Sequence, residues 1–419
     1  LHKTFTQAPV LGSLLDPSKE NKGDLFAADY GTLTDLLEVA LATELEPKKS
    51  EGNEAELWDL ALSAQGLLDA ARLLDRKYHL VVTNVPYLTR GKQVDELAAF
   101  CAKHYSRSRT DLATVFLERM LELNTRAGVS AVVMPQNWLY QPAYVDLRRE
   151  LLRQRKVSFI STLGTGAFGS INGWVVNILL GIFSNNQDSL RPTYSAVDAS
   201  TGADPSEKSR VLRINEVAQI SFDKVSALPD ARITTQELEA GKLLSEYSDG
   251  VHGFGSKDSP RFFRQFWEIS DLNKDWQFLQ TTVSTTNHWD GLSQIVYWQN
   301  GTGILAELGK QGLAIPAGKM AWGKSGVAVS QMGALPVSLY SGQIFDKNVA
   351  VICPKNEEWL PAIWEYCSSN EFNDEVRKID QALKVTNRTL VKVPFDLSYW
   401  QNVANSRIPS GLPKPFSND

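Results

Sequence analysis

Four consecutive residues, Asn84-Val85-Pro86-Tyr87, carry the side chains and backbone groups in this 419-residue chain that could do chemistry together. The Asn84 side-chain carbonyl can accept a hydrogen bond from an exocyclic amino group, and the Val85 backbone carbonyl can accept a second. Two acceptors on one nitrogen pull its lone pair out of conjugation with the ring. The amine then becomes nucleophilic without full deprotonation. Pro86 stiffens the turn and removes a donor. Tyr87 can lay its ring against a planar heterocycle. An amine so held could attack a sulfonium methyl, and a base inside a duplex would have to be flipped out to reach it. The bland alternative is an ordinary strand-ending turn, since Asn and Pro are both turn residues.

The elements around this tetrapeptide decide between the two. His79 to Thr83 (HLVVT) is a short β-branched run that stops at Asn84, as a buried strand emptying into a loop would. Open α/β sheets place ligands at the carboxyl ends of their strands. Helical periodicity is expected over residues 32–44 and again from about Glu54 to Asp75. Asp111 to Thr125 is amphipathic, Val129 to Met134 reads as a strand, and Tyr144 to Gln154 as a basic helix. Val157 to Leu163 and Val175 to Phe183 are further strands, with Gly164, Gly166, Gly169 and Gly173 between them. This alternation predicts an α/β fold with a parallel sheet. The last two strands lack a crossover helix and are expected as an antiparallel pair at the sheet edge.

In this context Asn84 to Tyr87 resembles motif IV of amino-methyltransferases acting on adenine in DNA, usually Asn-Pro-Pro-Tyr. Asp111 to Leu123, Gly128 to Leu139 and Ala167 to Phe183 resemble the family's following segments in the same order. Gly250 to Glu268 and Leu383 to Trp400 resemble the target-recognition part of PglX-type methyltransferases of BREX phage-defence systems and related restriction–modification enzymes. The resemblance covers roughly residues 75–419. It implies a partial Rossmann-like class I methyltransferase sheet followed by a mixed α/β target-recognition domain. It further implies S-adenosylmethionine as cofactor, Phe168 against the flipped adenine, and Asp111 bordering the cofactor's methionine end. Two departures stand out. Val85 replaces the family's first Pro, which gains an N–H and loses a rigid ring. No Gly-rich cofactor loop precedes Tyr87, so the chain reads as the C-terminal portion of a larger methyltransferase whose upstream part or other defence-system proteins would be partners.

Composition sets the remaining bounds. Apolar residues make up 43% and charged residues 22%, as in a globular protein. No apolar run is long enough for a membrane span. Three dispersed cysteines and five histidines suggest neither a disulfide framework nor a metal site, and a cytoplasmic location follows. The net charge of −5 hides an uneven distribution: residues 1–60 carry 5 Lys against 12 Asp or Glu, leaving 38 cations against 36 anions elsewhere. Double-stranded DNA is the implied partner. Arg148, Arg149 and Arg153 in a basic helix, and Lys257, Arg261 and Arg264 in a Gly-and-basic loop, are candidate phosphate contacts; solvated surface is the alternative.

The expected domains are 1–190 (the catalytic part), 191–245 (a connecting segment, with residues 185–204 as linker, a strand at Arg210 to Ile214 and a helix near Thr234 to Leu244) and 246–419 (target recognition). Eight of the eleven tryptophans lie at position 267 or later, and core packing is their expected role. Gly318 to Ser325 (GKMAWGKS) fits phosphate-loop spacing, but a strand-like run follows it where a helix is required. The rival to catalysis is a non-catalytic DNA-binding or inhibitory module. A methyltransferase for RNA or protein glutamine is the third reading.

Overall fold

The computed structural model describes residues 7–16, 66, 69–168, 176–185, 191–238, 241–315 and 317–415. The helix expected at 32–44, most of that at 54–75, and Gly169 and Gly173 lie outside the described residues. Two compact units divide at residue 238.

Among the described residues, the first unit is built on a six-stranded sheet. Its strands are β1 (Tyr78–Asn84), β2 (Asn124–Pro135), β3 (Val157–Gly164), β4 (Ile178–Ser184), β5 (Thr193–Asp198) and β6 (Ala218–Ser221). Their spatial order is β1-β2-β4-β3-β5-β6. β1 and β2 are parallel, joined by α1 (Asp95–His104) and α2 (Leu112–Leu123). α3 (Val145–Arg153) links β2 to β3. β3 and β4 are antiparallel as expected, but β4 lies inside the sheet, between β2 and β3. The reason is its composition. Ile178, Leu179 and Phe183 are essentially inaccessible, and an unbroken apolar strand needs neighbours on both sides.

The expected linker and connecting segment are also corrected. Thr193 to Asp198 pairs with both β3 and β6, with Tyr194 and Ala196 buried. The residues expected as a strand at 210–214 end a helix, α4 (Pro205–Ile214). The sequence carried that signal: the Asp204 side chain caps the Glu207 N–H, Pro205 occupies the first turn, and Glu207 reaches back to the Ala203 N–H. α5 (Phe222–Ala227) follows β6, and 234–238 are not helical. Residues 191–238 therefore belong to the first unit.

β1 is an edge strand among the described residues. Leu80 and Val82 on one face are strongly exposed, Val82 at 67%. Val82 stands opposite Ala131, and Ala131 opposite half-exposed Ile182, so an apolar stripe crosses this side of the sheet.

The second unit holds two four-stranded sheets. One contains β7 (Ser248–His252), β11 (Gly326–Ser330), β12 (Val337–Tyr340) and β14 (Val349–Pro354). The other contains β8 (Phe263–Gln265), β9 (Trp276–Gln280), β10 (Gln294–Tyr297) and β13 (Ile344–Phe345). Helices α6 (Leu360–Cys367), α7 (Asn370–Ile379) and α8 (Leu397–Arg407) complete it. Gly318 to Ser325 is a turn that leads straight into strand β11, so the helix of a phosphate loop does not follow.

Candidate active site

Asn84 is the last residue of β1, and the loop leaves the carboxyl rim of the sheet. The Val85 N–H reaches the Val133 carbonyl at 3.4 Å, which continues the β1–β2 ladder one step past the strand. Val85 is only 4% exposed. The donor gained by having Val in place of Pro is therefore used, and a ladder bond does the stiffening that a ring would otherwise do. Asn84 and Tyr87 both reach solvent, and the Tyr87 hydroxyl donates to Asn84 Oδ1 at 3.2 Å. Partial burial raises the Tyr87 pKa, so its hydroxyl stays protonated as a donor.

The far side of the loop is tied to α2. Leu88 donates its N–H to Asp111 Oδ1 at 3.3 Å and accepts the Leu112 N–H at 3.0 Å on its carbonyl. Arg90 N–H donates to the Thr110 carbonyl at 3.0 Å. Asp111 is buried and caps α2 through the Ala113 N–H at 2.9 Å. Burial raises its pKa, opposed by the two backbone N–H bonds.

Phe168 lies on the loop leaving β3, beyond Gly164 and Gly166, whose positive φ angles of 65° and 71° turn the chain. β3 runs in the same direction as β1, because both oppose β4, β3 directly and β1 through its parallel partner β2. Its loop thus leaves the same rim. Three strand spacings, roughly 14 Å, separate the two strands.

The cationic candidates divide. Arg148 is fully buried. Its guanidinium donates to the carbonyls of Trp138, Gln141, Asp230 and Ala231. Burial lowers its pKa to about 10. It braces the interior of the first unit and is withdrawn as a DNA contact; the basic helix has a buried face that charge alone did not reveal. Arg149 is exposed, and Arg153 is exposed while paired to Glu150 at 2.8 Å. In the second unit Lys257, Arg261 and Arg264 are exposed. Lys257 donates to the Gly312 carbonyl, Arg264 to those of Pro260 and Phe263, and Arg261 lies over the Phe262 ring.

Trp267 departs from the core packing expected of the tryptophans. It is 64% exposed, while every other described tryptophan is at least half-buried. Its turn is rigid: Phe266 N–H donates to the Ser293 carbonyl, and Glu268 accepts the Gln265 N–H. Phe266 packs edge-on against the indole.

Residues 21–168 match the family described as Eco57I restriction-modification methylase. This part of the chain is similar to Eco57I-type methylases. The chain is 25% identical over 370 residues to the adenine-specific methyltransferase BrxX of Escherichia coli O9:H4 (strain HS), which covers 84% of this chain and 29% of that protein. It is 34% identical over 119 residues to the adenine-specific methyltransferase PglX of Lacticaseibacillus casei (strain Zhang), covering 28% of this chain and 10% of that protein. The chain thus spans less than a third of the length of these relatives. Among solved structures, the Type IIL restriction-modification enzyme MmeI in complex with DNA superposes with a TM-score of 0.52 at 14% identity, covering 81% of this chain and 49% of that one; the likeness is one of fold.

Similarity to a methylase family implies use of S-adenosylmethionine. The described residues before Tyr87 include no Gly-rich strand-to-helix turn. No helix among the described residues is long and apolar enough to cross a membrane.

Proposed function

We propose that this chain is part of a site-specific DNA methyltransferase that modifies N6 of a flipped-out adenine, in phage defence or restriction–modification. The carrying observation is the rim loop: Asn84 and Tyr87 face solvent from a backbone anchored at Val85 and Leu88. Asn84 Oδ1 and the Val85 carbonyl accept the two amino protons of adenine, and Tyr87 stacks on the base. Phe168, from the same rim, closes on its other side. S-adenosylmethionine supplies the methyl group when bound. Arg149, Arg153, Lys257, Arg261 and Arg264 contact DNA phosphates. The bare apolar stripe of Leu80, Val82 and Ile182 is where polypeptide completing the catalytic fold packs. The protein works in the cytoplasm, beside its DNA.

The inhibitory-module reading rested partly on Val85, and the Val85–Val133 bond removes that support. The test is methyl transfer from labelled S-adenosylmethionine to DNA by the full-length protein. Asn84→Ala lowers the rate about 10²-fold or more, by analogy with deleting one preorganised active-site hydrogen bond, and leaves DNA affinity within a few-fold. Wild-type turnover by that variant would end the proposal.

A further inference from the structure

We infer that Asp111 is a positioning residue that holds the amine-gripping loop through Leu88. The inference rests on the adenine reading above and assigns Asp111 a role other than bordering the cofactor.

One carboxylate oxygen does two jobs. Asp111 Oδ1 accepts the Ala113 N–H at 2.9 Å, which caps α2, and the Leu88 N–H at 3.3 Å, which reaches back across 23 residues to the position after Tyr87. The Leu88 carbonyl is held as well, by the Leu112 N–H at 3.0 Å and the Gln93 side-chain amide at 3.1 Å. Thr89 and Asp111 form an antiparallel bridge beside these bonds. The Asn84–Tyr87 loop is therefore a short strap with two fixed ends. One end is the Val85–Val133 ladder bond, and the other is the α2 N-terminus, on which Leu88 is pinned by both of its backbone groups. Between them lie the Val85 carbonyl and the Tyr87 ring, the two parts of the grip whose directions are set by backbone torsions. Asp111 is only 5% exposed, so its carboxylate is shielded from bulk water, where its hydrogen bonds would compete with solvent.

Three substitutions separate the two jobs. Serine at position 111 is itself a good helix cap but is too short to hold Leu88 as well. Asparagine keeps an oxygen where Oδ1 stands and loses the charge. Alanine removes both bonds. The assays use the full-length protein and DNA whose methylated site has been mapped: kcat, the KM for S-adenosylmethionine, melting temperature, and emission from 2-aminopurine placed at the target adenine. Asp111→Ser is expected to melt like wild type yet lose roughly 10- to 100-fold in kcat, the scale of a small misplacement of reacting groups. Its 2-aminopurine emission drops and its KM for S-adenosylmethionine stays unchanged. Asp111→Ala shows the same catalytic loss with a lower melting temperature, and Asp111→Asn restores kcat to within about fivefold.

Full activity in Asp111→Ser would overturn the inference in favour of a plain helix cap. An Asp111→Asn variant as impaired as Asp111→Ala, with a raised KM for S-adenosylmethionine, would overturn it in favour of a cofactor contact. A wild-type protein that neither methylates adenine nor raises 2-aminopurine emission defeats the adenine reading itself, and this inference with it.

Discussion

Replacing Val85 with proline tests whether the ladder bond does the work of the missing ring. The substitution deletes the N–H that reaches Val133 at 3.4 Å. That separation is long for an N–H···O bond, so its loss costs about 0.5 kcal/mol, the low end of the usual range. Proline in turn restricts the unfolded chain and returns about 0.4–1 kcal/mol. Asn84 is already extended at the end of β1, the conformation that a residue before proline prefers. The side chain is buried in either form, so one apolar body of similar size replaces another. The two contributions nearly cancel. Val85→Pro should leave folding stability within about 1 kcal/mol and methyl transfer within about fivefold. Val85→Gly keeps the N–H and empties the buried position, and should lose about 1.5–3 kcal/mol. Denaturant midpoints and initial rates on DNA, both with the full-length protein, give the comparison. A proline variant that folds normally but gains or loses more than about tenfold in rate would show that the N–H does not set the loop geometry.

Arg148→Ala should cost more than about 3 kcal/mol in chemical denaturation, because four carbonyls, two of them buried, lose a charged donor; exposed Arg149→Ala should stay within about 0.5 kcal/mol. Equal effects would show that the burial of Arg148 is irrelevant. Trp267→Ala should weaken DNA binding by about 1–3 kcal/mol without altering its salt dependence, as loss of a base stack would, while Arg264→Ala should flatten that dependence; unchanged affinity in the Trp267 variant assigns the exposed indole elsewhere. Burial, together with Lys384, lowers the pKa of His252, which nearby Asp346 partly offsets. The unfolded state therefore takes up the proton first, and stability should fall as pH drops through the ordinary histidine value toward the lower folded one. His252→Gln should remove that slope from a pH series of melting temperatures, and a slope that persists would place its origin in another group.

The sequence by itself determined the local chemistry and the order of elements. A β-branched run that stops at Asn84 can hardly be anything but a strand feeding a loop, and the amphipathic period of 111–125 specified a helix, which the fold forms over 112–123 with Asp111 as its N-cap. The glycines and prolines marked the turns. What it left open was decided by partners far away in the chain. β4 reads as one of an antiparallel pair, but only its two-sided burial places it between β2 and β3. Thr193 to Asp198 looks like a polar linker until β3 and β6 pair with it. Arg148 and Arg149 are adjacent cations in one helix, yet one is inside and the other outside, because a turn of 100° per residue points them at different neighbours. Val85 looked like a weakened motif because the compensating acceptor, Val133, lies 48 residues away. Periodicity and turn chemistry are local and can be read along the chain, whereas burial and hydrogen-bond partnership across the sheet exist only once it has folded.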